Sequence, residues 1–278
     1  MSISSQVHGM WASVAEAWDE HAEYADARGA EVTARMLAAT APAPGERVLE
    51  LACGAGGVGL AAAELVGAGG EVVLSDVVPR MTAIAATRAA ARGLGNVRTA
   101  VLDLEDIAQP DASYDVVVCR EGLMFAPDPA RAAVEVRRIL RPGGRCAFAV
   151  WGPRARNPWL GVVFDAVGAQ LGVPVPPPGV PGPFALDDPT RLGALLGAAG
   201  FADVAVDEVP VPLRDASFDD WWTRTAALAG PLAKRIAALP DQGRRELRAR
   251  LEEAVRPYET PEGLAFPGVT LLATGRRP

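Results

Sequence analysis

Residues 48–59, VLELACGAGGVG, read as a buried strand that runs into a glycine turn and emerges as a helix. Gly54 and Gly56 let the backbone bend sharply and come close to a ligand, where a Cβ would intrude. With Gly59 they spell GxGxxG, a degenerate fingerprint that has meaning only between a strand and a helix. The flanking pattern supplies that setting. Apolar, β-rich runs fall near residues 47–52, 71–75, 97–102, 115–119 and 145–151, and helical patterns near 57–67, 79–92 and 129–140 separate them. Asp128 is placed to cap the last of these helices, Pro129 suits its first turn, and Ala132, Val136, Ile139 and Leu140 share one face. Strands separated by helices imply a parallel sheet covered on both faces. Two later strand candidates, 202–213 and 268–274, bring the count to seven. The expected fold class is α/β, with a doubly wound, mostly parallel seven-stranded sheet.

The acids near the turn narrow the ligand. A dinucleotide would set its pyrophosphate against the helix N-terminus, where backbone N–H groups favour negative charge. Glu50 sits four residues before Gly54 on the strand leading in. A carboxylate there opposes a pyrophosphate and suits a cation, such as the sulfonium and ammonium of S-adenosylmethionine. Asp76 ends the second strand, 22 residues beyond Gly54, where a carboxylate can accept both ribose hydroxyls of a nucleoside. Asp76 could equally cap the following helix. Asp103, in AVLDLED, closes the third strand and could accept from an adenine amine, although Glu105 and Asp106 crowd beside it.

In order and spacing, the segments VLELACGAGGVG, VVLSDVVPRM, AVLDLED, SYDVVVCREGLMF and ILRPGGRCAFAVWGP make the chain resemble the class I S-adenosylmethionine-dependent methyltransferases. It looks closest to the subgroup of ubiquinone and menaquinone biosynthesis enzymes and natural-product methyltransferases. The resemblance covers residues 46–153 and extends more weakly to 199–211 and the last strand. It implies a Rossmann-like methyltransferase core and the cofactor S-adenosyl-L-methionine. Carried over by position, Glu50 would stand near the methionine part, with Ala52, Gly54 and Gly56 lining it. Asp76 would take the ribose, Val77 and Met81 would pack near the adenine, and Asp103 with the Leu104 amide would meet its edge. Arg120 would line the methionine end. Ala52 replaces the family's usual glycine, and Val78 and Pro79 replace small polar residues.

The rest of the chain reads as appendages to this core. Residues 1–45 form a helical N-terminal lid, 46–153 the cofactor-binding core, 154–190 an insertion, 191–216 more core, 217–262 a helical C-terminal lid insertion and 263–278 the final core strand. VPVPPPGVPGPF, 173–184, must be irregular because proline breaks helix and strand alike. Trp11, Val14, Trp18 and His21 line up on one helical face. The acceptor site is expected from these parts, with Trp18, Tyr24, Trp221 and Trp222 as substrate walls and His21 or Glu121 as a base. Trp, Leu, Ala and Pro dominate there, so the expected reaction is methyl transfer to an O, C or N nucleophile of a small apolar or aromatic molecule, a quinol or secondary metabolite.

Composition bounds the alternatives. Net charge is −7, Lys234 is the only lysine, and the arginines lie beside acids, so no basic stripe marks a nucleic-acid partner. Three cysteines without CxxC spacing and two histidines suit neither a disulfide framework nor a metal site. No basic, apolar leader opens the sequence and no run is long enough to span a bilayer. A cytoplasmic monomer or homodimer is expected. An NAD(P)-dependent oxidoreductase is the alternative, although it would lack a YxxxK donor pair. A nucleotide-binding module without turnover is a third reading.

Overall fold

A computed structural model describes residues 3–177, 179–229 and 231–278. Ten strands are formed among the described residues: β1 Arg47–Glu50, β2 Glu71–Asp76, β3 Val97–Val101, β4 Tyr114–Arg120, β5 Leu140–Trp151, β6 Ala202–Pro210, β7 Leu213–Asp215, β8 Glu259–Thr260, β9 Gly263–Phe266 and β10 Val269–Arg276. Seven of them make the main sheet, in the order β3-β2-β1-β4-β5-β10-β6. The pairs among β1 to β5 are parallel, whereas β10 runs antiparallel between β5 and β6. Val48, Leu49, Val72, Leu74 and Val116 to Val118 are buried, as required of strands covered on both faces.

The helices α1 Ile3–Ala12, α2 Ala15–Glu20, α3 Ala22–Arg28 and α4 Ala30–Thr40 precede the sheet. Within it, α5 Gly57–Val66, α6 Pro79–Ala91 and α7 Pro129–Ile139 are the three expected crossovers. Asp128 caps α7, its Oδ1 accepting from the amides of Ala130 and Arg131. Beyond β5 come α8 Pro158–Leu171 and α9 Pro189–Ala198, and beyond β7 come α10 Phe218–Leu228, α11 Pro231–Ala237 and α12 Asp241–Val255. The chain leaves β1 in one direction, through β2 and β3, and returns to β4 on its other side. Ligands of open α/β sheets bind at such a switch point, beyond the strand C-termini.

Two expectations need correction. The single apolar helix through Trp11, Val14, Trp18 and His21 is broken into short pieces. The Ser13 hydroxyl donates to the Met10 carbonyl at 2.7 Å and closes α1, and His21 is the junction of α2 and α3. The expected strand 202–213 is also interrupted. Pro210 and Pro212 offer no amide to a ladder, so β6 stops at Pro210 and β7 joins a separate three-stranded sheet, β7-β9-β8. Residues 263–266 belong to that small sheet, and the core strand begins at Val269.

Candidate cofactor and acceptor site

The turn after β1 is built by left-handed residues: Ala52 at φ 51°, Gly54 at 52° and Gly56 at 87°. A Cβ on Gly54 would meet only Trp18, at 4.0 Å, and would stand in open space above the sheet. Gly56 faces the other way. Its Cβ would lie 3.0 Å from Leu74 and 3.3 Å from Ala85, so this glycine shapes the turn from behind. Ala52 takes the left-handed conformation with a methyl group, which costs about 1–2 kcal/mol.

Glu50 leaves the end of β1 buried at 2% exposure. Its Oε1 accepts from the Val58 amide at 3.3 Å and Oε2 from the Gly59 amide at 2.8 Å. A side chain on Gly59 would collide first with Leu74 and then meet that carboxylate at 2.8 Å, so the third glycine of the motif makes room for Leu74 and Glu50. Burial pushes the Glu50 carboxyl up to about 7, against those two amides and the Arg120 charge. Asp76 ends β2, also buried. Its Oδ2 accepts from Gly54 and its Oδ1 from Val78, both at 3.0 Å, and burial raises its carboxyl above the usual range. One carboxylate thus ties the first strand's turn to the second strand's exit.

These groups open onto one cavity of about 320 Å³, large enough for a small ligand. Val77, Met81, Asp103 and Leu104 line it on the β2 and β3 side. His8 of α1 brings Nε2 within 3.6 Å of Asp103 Oδ2, and Trp11 packs edge-on to Trp18 and Phe125. Arg120, the last residue of β4, donates to Thr33 Oγ1 at 2.8 Å and stands 3.8 Å from Asp26. The N-terminal helices therefore roof the strand ends.

The cavity continues into a second lobe. Tyr24, Arg28 and Glu121 line it, with Trp151, Trp159 and Phe164, the proline-rich segment and the α10 residues Arg224, Thr225 and Leu228. Arg28 Nη2 donates to Glu121 Oε2 at 3.2 Å, while Glu121 holds a left-handed φ of 59°. Glu121 directly follows Arg120 at the end of β4, and both line the cavity.

Three residues expected at the site lie elsewhere. His21, at the junction of α2 and α3, is not on the cavity wall, whereas Trp18 and Tyr24 are. Trp221 is completely buried among Phe218, Trp222 and Phe266, and Trp222 packs beside it. Neither lines the cavity, and α10 presents Arg224 and Thr225 instead. Arg28, Arg224, His8, Trp151 and Trp159 were not expected there. Trp151 carried a usable signal, since it ends a central strand. Arg28 and Arg224 carried none in sequence.

The groups present fit an adenosine-bearing cation. The buried carboxyl of Asp76, the apolar Val77 and Met81, the uncrowded backbone of Gly54 and the buried carboxyl of Glu50 all line one cavity. The methyltransferase domain family matches residues 48–144. Nocamycin O-methyltransferase of Saccharothrix syringae is 35% identical over 72% of this chain and 70% of its own length. The ubiquinone/menaquinone biosynthesis C-methyltransferase of Azotobacter vinelandii is 37% identical over 44% of this chain and 48% of its own length. Among solved structures, the YcgJ protein of Bacillus subtilis superimposes with a TM-score of 0.61 at 21% identity, covering 88% of this chain and 97% of that one. The oxidoreductase alternative has no support among these relatives.

Proposed function

The chain belongs to the S-adenosylmethionine-dependent methyltransferases, and from that premise we propose that it methylates an oxygen of a small, largely apolar, ring-bearing molecule. The observation that carries this reading is the continuity of the cavity. The residues of the cofactor motifs and an aromatic lobe line a single space. The similarity to an O-methyltransferase of a natural product supports oxygen as the acceptor atom.

Asp76 holds the ribose hydroxyls, and the uncrowded backbone of Gly54 lets the ligand come close. Val77, Met81 and the Leu104 amide take the adenine, with Asp103 at its edge. Glu50 and Arg120 frame the methionine end, where Glu50's charge favours a cation. When bound, S-adenosylmethionine supplies a methyl group that leaves sulfur with no electrons of its own, so the acceptor oxygen provides the bonding pair. The protein contributes alignment and a dry site. Trp11 and Trp18 from the N-terminal helices exclude water from above. Of the two expected bases, Glu121 is on the wall, and its Oε1 can receive a proton from a neutral acceptor hydroxyl. Trp18 and Tyr24 remain as acceptor walls.

We place the activity in the cytoplasm, where a reducing environment keeps the buried free thiols Cys53, Cys119 and Cys146 unpaired. Calorimetry with S-adenosylhomocysteine and NADH tests the cofactor, and transfer of labelled methyl to phenols, enols and carboxylic acids tests the reaction. S-adenosylhomocysteine should bind and NADH should not. Binding of NADH alone sinks the reading.

A further inference from the structure

Ala25 and Asp26 of α3 line the roof of the cofactor lobe, and Gly54 and Ala55 of the glycine turn line its floor. Arg88 of α6 joins the two from outside the cavity wall. Its Nη1 donates to the Ala55 carbonyl at 2.7 Å, and its Nη2 to Asp26 Oδ2 at 2.6 Å and Glu23 Oε1 at 3.1 Å. The Gly56 amide donates to the Cys53 carbonyl at 2.7 Å, so the peptide joining Ala55 to Gly56 is held at both its oxygen and its N–H. Exposure ranks the ion pairs along this seam. Arg80 meets Glu16 and Asp19 in solvent, where such pairs are worth little. The Arg88 side chain is only 12% exposed and that of Asp26 23%, so their attraction is screened far less. Apolar packing at the seam is a patch of its own. Ala15 and Ala22 of the roof meet Ala55, Val78, Met81 and Ile84 in a buried cluster separate from the main core, so the seam can part without opening that core.

We propose that Arg88 is a positioning residue that latches the roof to the glycine turn, so that the adenosyl cofactor enters and leaves when α3 lifts from it. The inference rests on the methyl-transfer reading, which supplies the ligand held beneath α3. Arg88 touches no ligand and acts through the Ala55 carbonyl and Asp26. The planar fork of a guanidinium suits this task, because its two terminal nitrogens donate in different directions at once. A lysine would bring one nitrogen to the same acceptors. Closing α3 thereby fixes the turn on which the cofactor lies, and a displaced turn deprives α3 of its anchor. Arg92 and Arg120 stand 3.5 and 3.8 Å from Asp26, so removing Arg88 does not strand that carboxylate without a cation.

Stopped-flow tryptophan fluorescence on the full chain, with S-adenosylhomocysteine as the ligand, measures passage in both directions; Trp11 and Trp18 line the cavity and report on it. A latch is a barrier to entry and exit alike. Arg88→Met should therefore raise the association and dissociation rate constants together, each about threefold or more, while the dissociation constant moves less than either rate. Asp26→Asn should raise both rates as well, and the double variant should be no faster than Arg88→Met, because the two changes remove one contact. Arg88→Lys keeps the charge without the fork and should restore only part of the wild-type rates. Arg80→Met cuts the exposed pair of the same seam and should leave both rates within about twofold of wild type. If Arg88→Met fails to fold, Asp26→Asn and Arg88→Lys carry the same test. Unchanged rates, a rise in dissociation alone or a slower association overturns the latch. Failure of the wild-type protein to bind S-adenosylhomocysteine overturns the methyl-transfer reading instead.

Discussion

The carboxylate of Glu50 lies across the first turn of α5, its Oε2 2.8 Å from the Gly59 amide. Burial lifts this group from the usual 4.5 to about 7, so between those values the folded state holds a proton that the unfolded state has released. Stability from that proton is complete below the lower value and is lost as pH rises through the higher one. Denaturant titration of the cofactor-free protein should therefore show lower stability at pH 8 than at pH 5, with up to about 3 kcal/mol from this residue. Glu50→Gln should flatten the difference and weaken S-adenosylmethionine binding at pH 8. A wild-type profile that does not fall between these pH values would remove the buried proton.

Asp76 is already engaged by two amides, from Gly54 and Val78, and its remaining lone pairs are the ones offered to ribose. Asp76→Asn preserves shape and removes charge. It should weaken S-adenosylhomocysteine binding by about 1.5–3 kcal/mol, the range of a charge-assisted hydrogen bond. An unchanged dissociation constant in a folded variant takes Asp76 out of the site.

Trp221 is a core residue despite its place in a tryptophan pair. Trp221→Ala should lower stability by about 3–5 kcal/mol through the cavity it leaves. At a temperature where the variant is folded, S-adenosylhomocysteine affinity should match wild type. A loss of affinity without a loss of stability would return Trp221 to the ligand.

His21 and Trp11 make a contrasting pair on the N-terminal helices. His21→Ala should leave methyl transfer at the wild-type rate, because the residue is off the cavity wall. Trp11→Ala removes edge-on contacts with Trp18 and Phe125, worth about 0.5–1.5 kcal/mol each. Stopped-flow fluorescence should show faster S-adenosylhomocysteine release from it. Slowed turnover in His21→Ala would mean that these helices rearrange over the bound ligand.

Ala52 holds a left-handed φ of 51°. Ala52→Gly should relieve that strain, offset by the greater freedom of glycine in the unfolded chain. The expected change is a stabilisation of up to about 1 kcal/mol, read from the denaturation midpoint. Marked destabilisation would mean that the methyl's contact with Gly122 outweighs the backbone strain.

The sequence by itself determined the core and its ligand end. Apolar runs of strand length, helical patterns between them and a glycine turn leave few topologies, because each signal is local and the right-handed crossover rule does the rest. Glu50 and Asp76 were legible for the same reason: a residue at a strand's C-terminus has its position set by the strand. Tertiary structure decided the lobe above the sheet. Whether α10 would turn Trp221 or Arg224 to the cavity depended on what packed behind it, and the small sheet offered Phe266 to the indole. Arg28 meets Glu121 across 93 residues, an encounter no periodicity encodes. His21 is off the cavity wall while Trp18 and Tyr24, on either side of it, are on it, a choice that a shared helical face does not make. Local pattern fixes which face of an element is apolar, but the neighbour that covers that face is chosen only when the whole chain packs.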